Sequence, residues 1–300
     1  MKCCPRCTEI NSPPPRKEMA SRPGFSLGGR CGWWPSSHQA AAGAPPGPAA
    51  PAASTATGGW NDDGCVPAAH HPRPVVLVHG TLGNRTSNWL GLAPYLANRG
   101  YCVFSLDYGK LPHVPVFHGL GPIEDSAQEL SGYVDRVLAT TGAAEVDLVG
   151  HSQGGMMPRY YLKHYPDAAG KVNALVAIAP STNGTTLSGL TRLLDYFPGA
   201  GDLLDGLAPA LLQQAVGSDF ITELNADGYT VPGVDYTVLA TRYDEVVTPY
   251  RSQFIDEPGV RNVLMQDLCP LDFSEHLAIA LTDRLTFHEV NNALTPSARP

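Results

Sequence analysis

Residues 146–155 read VDLVGHSQGG, and the prediction of the fold starts from them. The first four form a short apolar run that predicts a buried strand, and the pattern from Met156 to Tyr165 predicts a helix. A Gly-x-Ser-x-Gly sequence between a strand and a helix is typical of a nucleophile elbow. Glycines two residues either side of Ser152 let strand and helix approach without Cβ clashes. We therefore expect an exposed serine hydroxyl at the carboxyl end of a strand, with the positive end of a helix dipole behind it.

A second motif lies upstream, where residues 74–81 read PVVLVHGT. On its own, the Gly-x-Ser-x-Gly sequence at 150–154 would also fit a tight strand-to-helix turn without a function. An apolar strand ending in His-Gly, placed before such an elbow, is typical of serine hydrolases, in which the following loop supplies an oxyanion-hole amide. We therefore expect the N–H groups of Thr81 and Gln153 to form an oxyanion hole, with the Thr81 hydroxyl as a further donor.

A serine nucleophile needs a histidine base and a carboxylate that orients the histidine, and in this architecture the acid comes first in the chain. Asp244 follows an apolar run at 236–240, at the strand end where sites collect in open α/β sheets. Glu245 is its nearest competitor, whereas Asp235 lies at the wrong end of that strand. We predict that Asp244 is the acid.

Four histidines compete for the role of base. His276 follows a predicted strand near Val263, whereas His288 lies at the far end of a predicted helix. His79 and His151 precede the acid, so their order is wrong, and we expect them to shape the loops beside the site. We predict that His276 is the base.

The rest of the folded region alternates between strand and helix patterns. Strands are predicted at 75–78, 102–106, 146–149, 175–179, 236–240 and 262–265. Helices are predicted at 88–98, 122–140, 156–165 and 274–286, the last with Ser274 as a possible cap. Such alternation predicts a mostly parallel sheet of about six strands, flanked by helices.

One long connection interrupts this rhythm, between the strands that end near Ala179 and start near Tyr236. Leucine-rich amphipathic stretches occupy 187–197 and 203–216, so we expect a helical cap or lid at about 185–232. Two interpretations stay open: an ordinary helical excursion packed on the core, or a wall for an acyl chain that also contacts lipid interfaces.

Composition excludes several classes of protein. The net charge of −8 argues against nucleic-acid binding, and no apolar stretch is long enough for a transmembrane helix. Residues 1–60 are rich in Pro, Gly and Ala, so we expect a disordered low-complexity segment before a catalytic domain at 61–300. That segment is the place for an export signal, although it lacks the apolar run of an ordinary signal peptide.

Seven cysteines are present. Cys65 precedes the strand at 75–78 and Cys102 opens the next strand, so neighbouring strands can bring the two together in a disulfide, which would indicate an oxidising compartment. The N-terminal cysteines (Cys3, Cys4, Cys7 and Cys31) have poor spacing for a zinc site. We expect no metal and no cofactor.

Five motifs together resemble the class 2 secreted lipases of bacteria and, more distantly, the fungal lipase B type. They are VHGT (78–81), DYG (107–109), GHSQGG (150–155), TRYDEVVTP (241–249) and CPLDFSEH (269–276). The resemblance covers roughly residues 61–293. Residues 1–60 match nothing in that family, and Cys269 has no later cysteine as a partner.

The resemblance implies an α/β-hydrolase fold and an extracellular carboxylester hydrolase that acts on acylglycerols or simpler esters. It also supports the pairing of Cys65 with Cys102. We expect a monomer whose partner is an ester or lipid substrate. The alternatives are an acyltransferase with the same catalytic residues, a polyester or cutin-type hydrolase, and a binding domain without catalysis.

Overall fold

A parallel sheet forms the centre of the molecule. The computed structural model describes residues 60–186, 188–190, 192, 196 and 208–295. The strands are β1 (Val75–Val78), β2 (Val103–Ser105), β3 (Val146–His151), β4 (Val172–Ile178), β5 (Asp235–Ala240) and β6 (Arg261–Leu264). They form one six-stranded sheet in the order β2-β1-β3-β4-β5-β6, with every pairing parallel. The predicted sheet is therefore confirmed.

Eight described helices accompany the sheet. They are α1 (Leu92–Ala97), α2 (Ile123–Thr141), α3 (Gln153–His164), α4 (Pro209–Gln213), α5 (Asp219–Asn225), α6 (Met265–Leu268), α7 (Ala278–Leu281) and α8 (Arg284–Leu294), with 3₁₀ turns at Ser87–Trp89 and Tyr250–Gln253. None of these described helices combines the length and the apolar composition that a membrane crossing requires.

Helices cover both faces of the sheet because both faces are apolar. In β1, Val76 and Val78 pack against α2 and α3, whereas Val75 and Leu77 pack against α1 and α8. This alternation follows from the two-residue period of a strand. On α2 one helical stripe is fully or almost fully buried: Ile123, Ala127, Leu130, Val134 and Val137. The central strands are thus continuous apolar runs, as expected for a sheet covered on both sides.

Two predicted helices are wrong in their extent. The helix predicted at 88–98 is a 3₁₀ turn followed by α1, and the break falls at Gly91. A Cβ on Gly91 would lie 2.3 Å from the Leu281 carbonyl oxygen, so the chain bends where another backbone approaches it. The helix predicted at 274–286 is divided into α7 and α8, and the cap of α8 is Asp283 rather than Ser274.

The predicted disulfide is present. Cys65 and Cys102 are bonded, with their Cα atoms 5.8 Å apart and a sequence separation of 37. The bond ties the segment before β1 to the start of β2, and the Cys102 carbonyl accepts the Val75 N–H at 2.8 Å. Cys269 is a free cysteine, as its missing partner implies.

The predictions for the chain start and for much of the lid lie outside the described residues. These are the disordered segment, except Trp60, most of the leucine-rich stretch at 187–197, and residues 203–207 of the stretch at 203–216. The described part of the connection at 185–232 contains α4 and α5. A lid therefore stays a prediction.

Candidate active site

Ser152 lies at a strained turn between β3 and α3. Its backbone has φ 56° and ψ −122°, a conformation that residues with a side chain rarely adopt. Glycine is required on both sides, since a Cβ on Gly150 would lie 1.7 Å from the Gly154 carbonyl oxygen and one on Gly154 would lie 2.1 Å from the Val78 carbonyl oxygen. The turn thus has the backbone geometry expected of a nucleophile elbow.

Asp244 and His276 meet at the same edge of the sheet. The Nδ1 atom of His276 lies 2.8 Å from Oδ2 of Asp244, and both side chains are inaccessible to solvent. The carboxylate also accepts the N–H groups of Val246 and Val247 at 2.9 and 2.7 Å, and the Gln253 side-chain amide at 2.9 Å. Four donors thus surround this one carboxylate and hold it in a fixed orientation towards His276.

This pairing fixes the tautomer of His276. Because the Asp244 carboxylate accepts, Nδ1 carries the proton and Nε2 presents a lone pair. The Nε2 atom is buried and makes no hydrogen bond to any described residue. A buried acceptor without a donor is costly in a folded protein, and here it is the nitrogen that a general base would use.

His151 connects the nucleophile turn to this histidine. It directly precedes Ser152, its Nε2–H donates to the His276 carbonyl oxygen at 2.9 Å, and the two rings lie 4.8 Å apart. Burial lowers the pKa of His151 well below its ordinary value, so the ring is neutral at neutral pH. As predicted for a histidine that precedes the acid, it supports the loops beside the site.

The two predicted oxyanion residues lie together. Gln153 opens α3, so its N–H belongs to the first helical turn, where backbone donors have no partner within the helix. Thr81 follows β1 beyond Gly80, at which a Cβ would lie only 3.0 Å from Cβ of Ser152. The Gln153 side-chain amide donates to Oγ1 of Thr81 at 3.0 Å. The Thr81 N–H makes no hydrogen bond to a described residue.

His79 holds the loop that carries Thr81. Burial lowers the pKa of His79 to about 4, so the ring is neutral, and its Nδ1 lies 2.8 Å from the Gly80 carbonyl oxygen. The ring stacks on Tyr108 with centroids 4.3 Å apart, and the Tyr108 hydroxyl donates to the His79 carbonyl at 2.6 Å. The predicted role of His79, shaping a loop beside the site, thus has a structural basis.

The competing acid and base lie elsewhere. The Glu245 side chain is about half exposed and pairs with Arg192 at 2.7 Å. Asp235 opens β5, at the opposite end of the strand from the loop that carries Asp244. His288 is within α8 and is only partly buried. Of the predicted acids, the structure brings only Asp244 to His276; the catalytic roles themselves stay predictions.

Several buried glutamines were not found by sequence reasoning. Gln253 donates to Asp244, and Gln214 donates to Oγ1 of Thr81 at 2.8 Å. Gln266 connects two loops near His276, accepting the Arg242 N–H and donating to the Asp272 carbonyl. Isolated glutamines in or next to short helical turns carry no periodic pattern, so no sequence signal distinguishes them from surface residues.

One cluster among the described residues has metal-ligand chemistry. His79, Asp107 and His118 each place one potential ligand atom within 4.8 Å of the others. The Asp107 carboxylate already has protein partners, since it accepts the Arg85 N–H at 2.8 Å and lies 3.2 Å from Nδ1 of His118. No acyl-transfer step passes through this cluster, and the absence of a metal stays a prediction.

Solved lipase structures have the same fold. A lipase B from Aspergillus fumigatus superposes with a TM-score of 0.61 at 21% identity, over 77% of this chain and 56% of that one. The mature lipase BlEst2 from Bacillus licheniformis gives 0.55 at 21% identity, over 77% of this chain and 94% of that one. These likenesses establish the α/β-hydrolase fold.

Sequence comparison identifies the family. Lipase B from Pseudozyma antarctica is 29% identical over 233 residues, which cover 74% of this chain and 61% of that enzyme. A triacylglycerol lipase from Pseudarthrobacter phenanthrenivorans is 34% identical over 107 residues, 34% of this chain and 32% of its own length. The matches thus span less than two thirds of these relatives. The family model of the class 2 lipases matches residues 72–285. The chain therefore belongs to the class 2 lipase family.

Proposed function

We propose that this protein is a serine carboxylester hydrolase that cleaves acylglycerols or simpler carboxylic esters through an acyl-enzyme. One observation carries the proposal: the buried Asp244–His276 pair leaves Nε2 of His276 without a described partner, and His276 contacts His151, the residue before the serine at the strained strand-to-helix turn. A serine hydroxyl is a weak nucleophile at neutral pH, and a neutral imidazole in the right tautomer makes it reactive.

The proposed reaction has two halves. Ser152 Oγ attacks the ester carbonyl carbon while His276 Nε2 takes the hydroxyl proton, and Asp244 stabilises the resulting imidazolium. As the tetrahedral intermediate collapses, His276 returns this proton to the leaving alcohol and the acyl group stays on Ser152. Water then attacks the acyl-enzyme with His276 again as base, releasing the acid and restoring the serine.

The negative charge on the carbonyl oxygen needs donors that are in position before the reaction. The N–H groups of Thr81 and Gln153 are available at the start of the reaction, and α3 begins at Gln153, so its positive end faces the developing charge. The Thr81 hydroxyl is the proposed third donor. Removal of one such donor costs about 100- to 1,000-fold in kcat in comparable enzymes.

The location and the interfacial behaviour are proposed as well. The Cys65–Cys102 bond supports an oxidising, extracellular compartment. In the described part of the connection at 185–232, Leu212 and Val216 are 68% and 64% exposed. Apolar side chains presented to solvent on the same connection that supplies Gln214 support contact of a monomeric enzyme with a lipid interface.

The test is hydrolysis of p-nitrophenyl esters with acyl chains from acetyl to palmitoyl, comparing the wild type with Ser152→Ala. We expect turnover that disappears in the variant while the far-UV circular dichroism spectrum stays the same. Substantial turnover in a pure sample of the variant would refute the assignment of Ser152. A rise in turnover once the ester concentration exceeds its solubility and an emulsion forms would support the interfacial part of the proposal.

A further inference from the structure

We propose that Gln214 is a positioning residue of the oxyanion hole, which makes the Thr81 hydroxyl a donor and couples the hole to the connection at 185–232. This inference rests on the proposed function, because it concerns the donors of that same site. Gln214 does not touch the reacting atoms; it acts through Thr81.

The hydrogen bonds around Thr81 determine the direction of its hydroxyl. Oγ1 of Thr81 contacts Nε2 of Gln214 at 2.8 Å and Nε2 of Gln153 at 3.0 Å. Each of these amide nitrogens also faces a backbone carbonyl, that of Ala210 at 3.0 Å and that of Gly119 at 3.0 Å. Carbonyl oxygens only accept, so in both side chains the atom next to Thr81 must be the NH₂ group.

Thr81 Oγ1 therefore accepts two hydrogen bonds. A hydroxyl has two acceptor positions and one proton to donate, so both lone pairs are used and only the O–H remains. The residue is 3% exposed, and neither of its two side-chain partners offers it an acceptor atom. The proton is thus left for an oxygen that is absent from the resting site, which is the role of an oxyanion donor.

Gln214 is itself held in place. It is 3% exposed, and its Oε1 accepts the hydroxyl of Ser181, which is 1% exposed, at 3.0 Å. Its backbone carbonyl accepts the Thr185 N–H at 2.8 Å. With both ends of the side-chain amide and the backbone bonded, the side chain cannot flip without breaking several buried hydrogen bonds.

The same contacts extend to the loop of the catalytic acid. The Thr185 hydroxyl donates to the Val246 carbonyl and accepts the Thr248 N–H at 3.0 Å. Gln214 directly follows α4, which belongs to the connection predicted to cover the site. Through these contacts Gln214 joins Thr81 to α4 on one side and to the loop of Asp244 on the other.

The test is a double-mutant cycle of Gln214→Met and Thr81→Val, with kcat and KM measured on a p-nitrophenyl ester. Methionine matches the shape of glutamine without its amide, and valine matches threonine without its hydroxyl. We expect kcat to fall about 10-fold or more in Gln214→Met, with KM changed less than about twofold, because only transition-state binding is lost. In the Thr81→Val background the same change should alter kcat less than about twofold, since the hydroxyl through which it acts is gone.

The neighbouring residue provides a matched control. Gln213 is a partly buried glutamine of the same segment, but its side chain bonds to the Ile123 N–H and to Glu124 at the start of α2. Gln213→Ala should lower thermal stability and leave kcat near that of the wild type. A loss of kcat in Gln213→Ala as large as that in Gln214→Met would overturn the inference, because any disturbance of the segment would then suffice.

The remaining outcomes are equally decisive. The positioning role would be overturned if folded Gln214→Met kept the wild-type kcat, or if the change lowered kcat by the same factor in both backgrounds. Either result would leave the proposed function intact. Absence of Ser152-dependent turnover in the wild type would overturn the proposed function, and the inference with it. Should Gln214→Met fail to fold, Ser181→Ala releases the same amide from its other end, and its smaller loss of kcat should likewise vanish in the Thr81→Val background.

Discussion

Replacing Asp244 by Asn should nearly abolish activity without unfolding the protein. The amide has one oxygen and one NH₂ group in place of two equivalent oxygens, so one contact must change. If the NH₂ group replaced Oδ1 it would face the N–H groups of Val246 and Val247, at 2.9 and 2.7 Å, and neither backbone donor can turn away. If it replaced Oδ2 it would face Gln253 and His276, which can both adapt.

The second orientation should therefore form. The Oε1 atom of Gln253 is buried without a described partner, so flipping this amide turns a donor into an acceptor and removes the clash, at the cost of the long 3.4 Å contact of its Nε2 with the Val247 carbonyl. His276 must then accept at Nδ1, which moves its proton to Nε2. In that tautomer Nε2 cannot take the proton of Ser152, and the general base is lost.

The expected magnitude follows from comparable triads, in which the wrong tautomer lowers kcat about 10,000-fold. Since each tenfold change corresponds to about 1.4 kcal/mol, the barrier should rise by about 5.5 kcal/mol. Steady-state hydrolysis of a p-nitrophenyl ester measures the loss, and thermal unfolding checks that the fold is kept.

Glu245 supplies the control for this prediction. It is the next residue and also carries a carboxylate, but it is about half exposed and pairs with Arg192. Glu245→Gln should keep kcat within about threefold of the wild type, as expected when a surface ion pair is lost. The reasoning would be refuted if Asp244→Asn kept more than a tenth of the wild-type kcat, or if Glu245→Gln showed the large loss instead.

Three further predictions concern stability. Removing the disulfide by a double Cys65→Ser, Cys102→Ser change should lower the free energy of unfolding by about 4 kcal/mol for a separation of 37 residues, measured by urea denaturation; a loss below about 1 kcal/mol would contradict it. Burial raises the pKa of Asp147 to about 6, so the folded state holds its proton more tightly than the unfolded state, and stability should fall as pH rises from about 4 to 6. Relative to Asp147→Asn, which cannot titrate, the wild type should lose about 2 kcal/mol of stability between pH 4 and 6, and a stability difference between the two proteins that does not change with pH would refute the assignment. Gly154→Ala should destabilise by about 3 kcal/mol because its Cβ would lie 2.1 Å from a carbonyl oxygen of β1, whereas Gly132→Ala on α2 meets nothing within 4 Å and should not destabilise.

The sheet and the catalytic candidates were predictable because both leave a local pattern. Strand β1 is a continuous apolar run, and the glycines around Ser152 are required by close backbone contacts that any protein with this turn must make. The chain order of Ser152, Asp244 and His276 follows from the topology. Local patterns therefore predicted the elements and the candidate residues.

The errors arose where a distant contact changed the local structure. Trp89, Leu92 and Leu96 have helical spacing whether or not the helix is broken, and the break depends on the approach of Leu281 to Gly91. Tertiary contacts likewise determine the roles of the buried glutamines. A glutamine such as Gln214 matters because of what lies opposite it in space, and sequence spacing does not encode that.

The wholly parallel sheet has a practical consequence for immobilising the protein. All carboxyl ends of the strands lie at one edge, with the candidate site, and all amino ends lie at the other. The connections that lead into β3 and β4, at 142–145 and 165–171, therefore lie on the far side, and Pro166, Asp167 and Gly170 are exposed there. A tag or a solid support attached through 166–170 would leave the edge that carries Ser152 facing the solution.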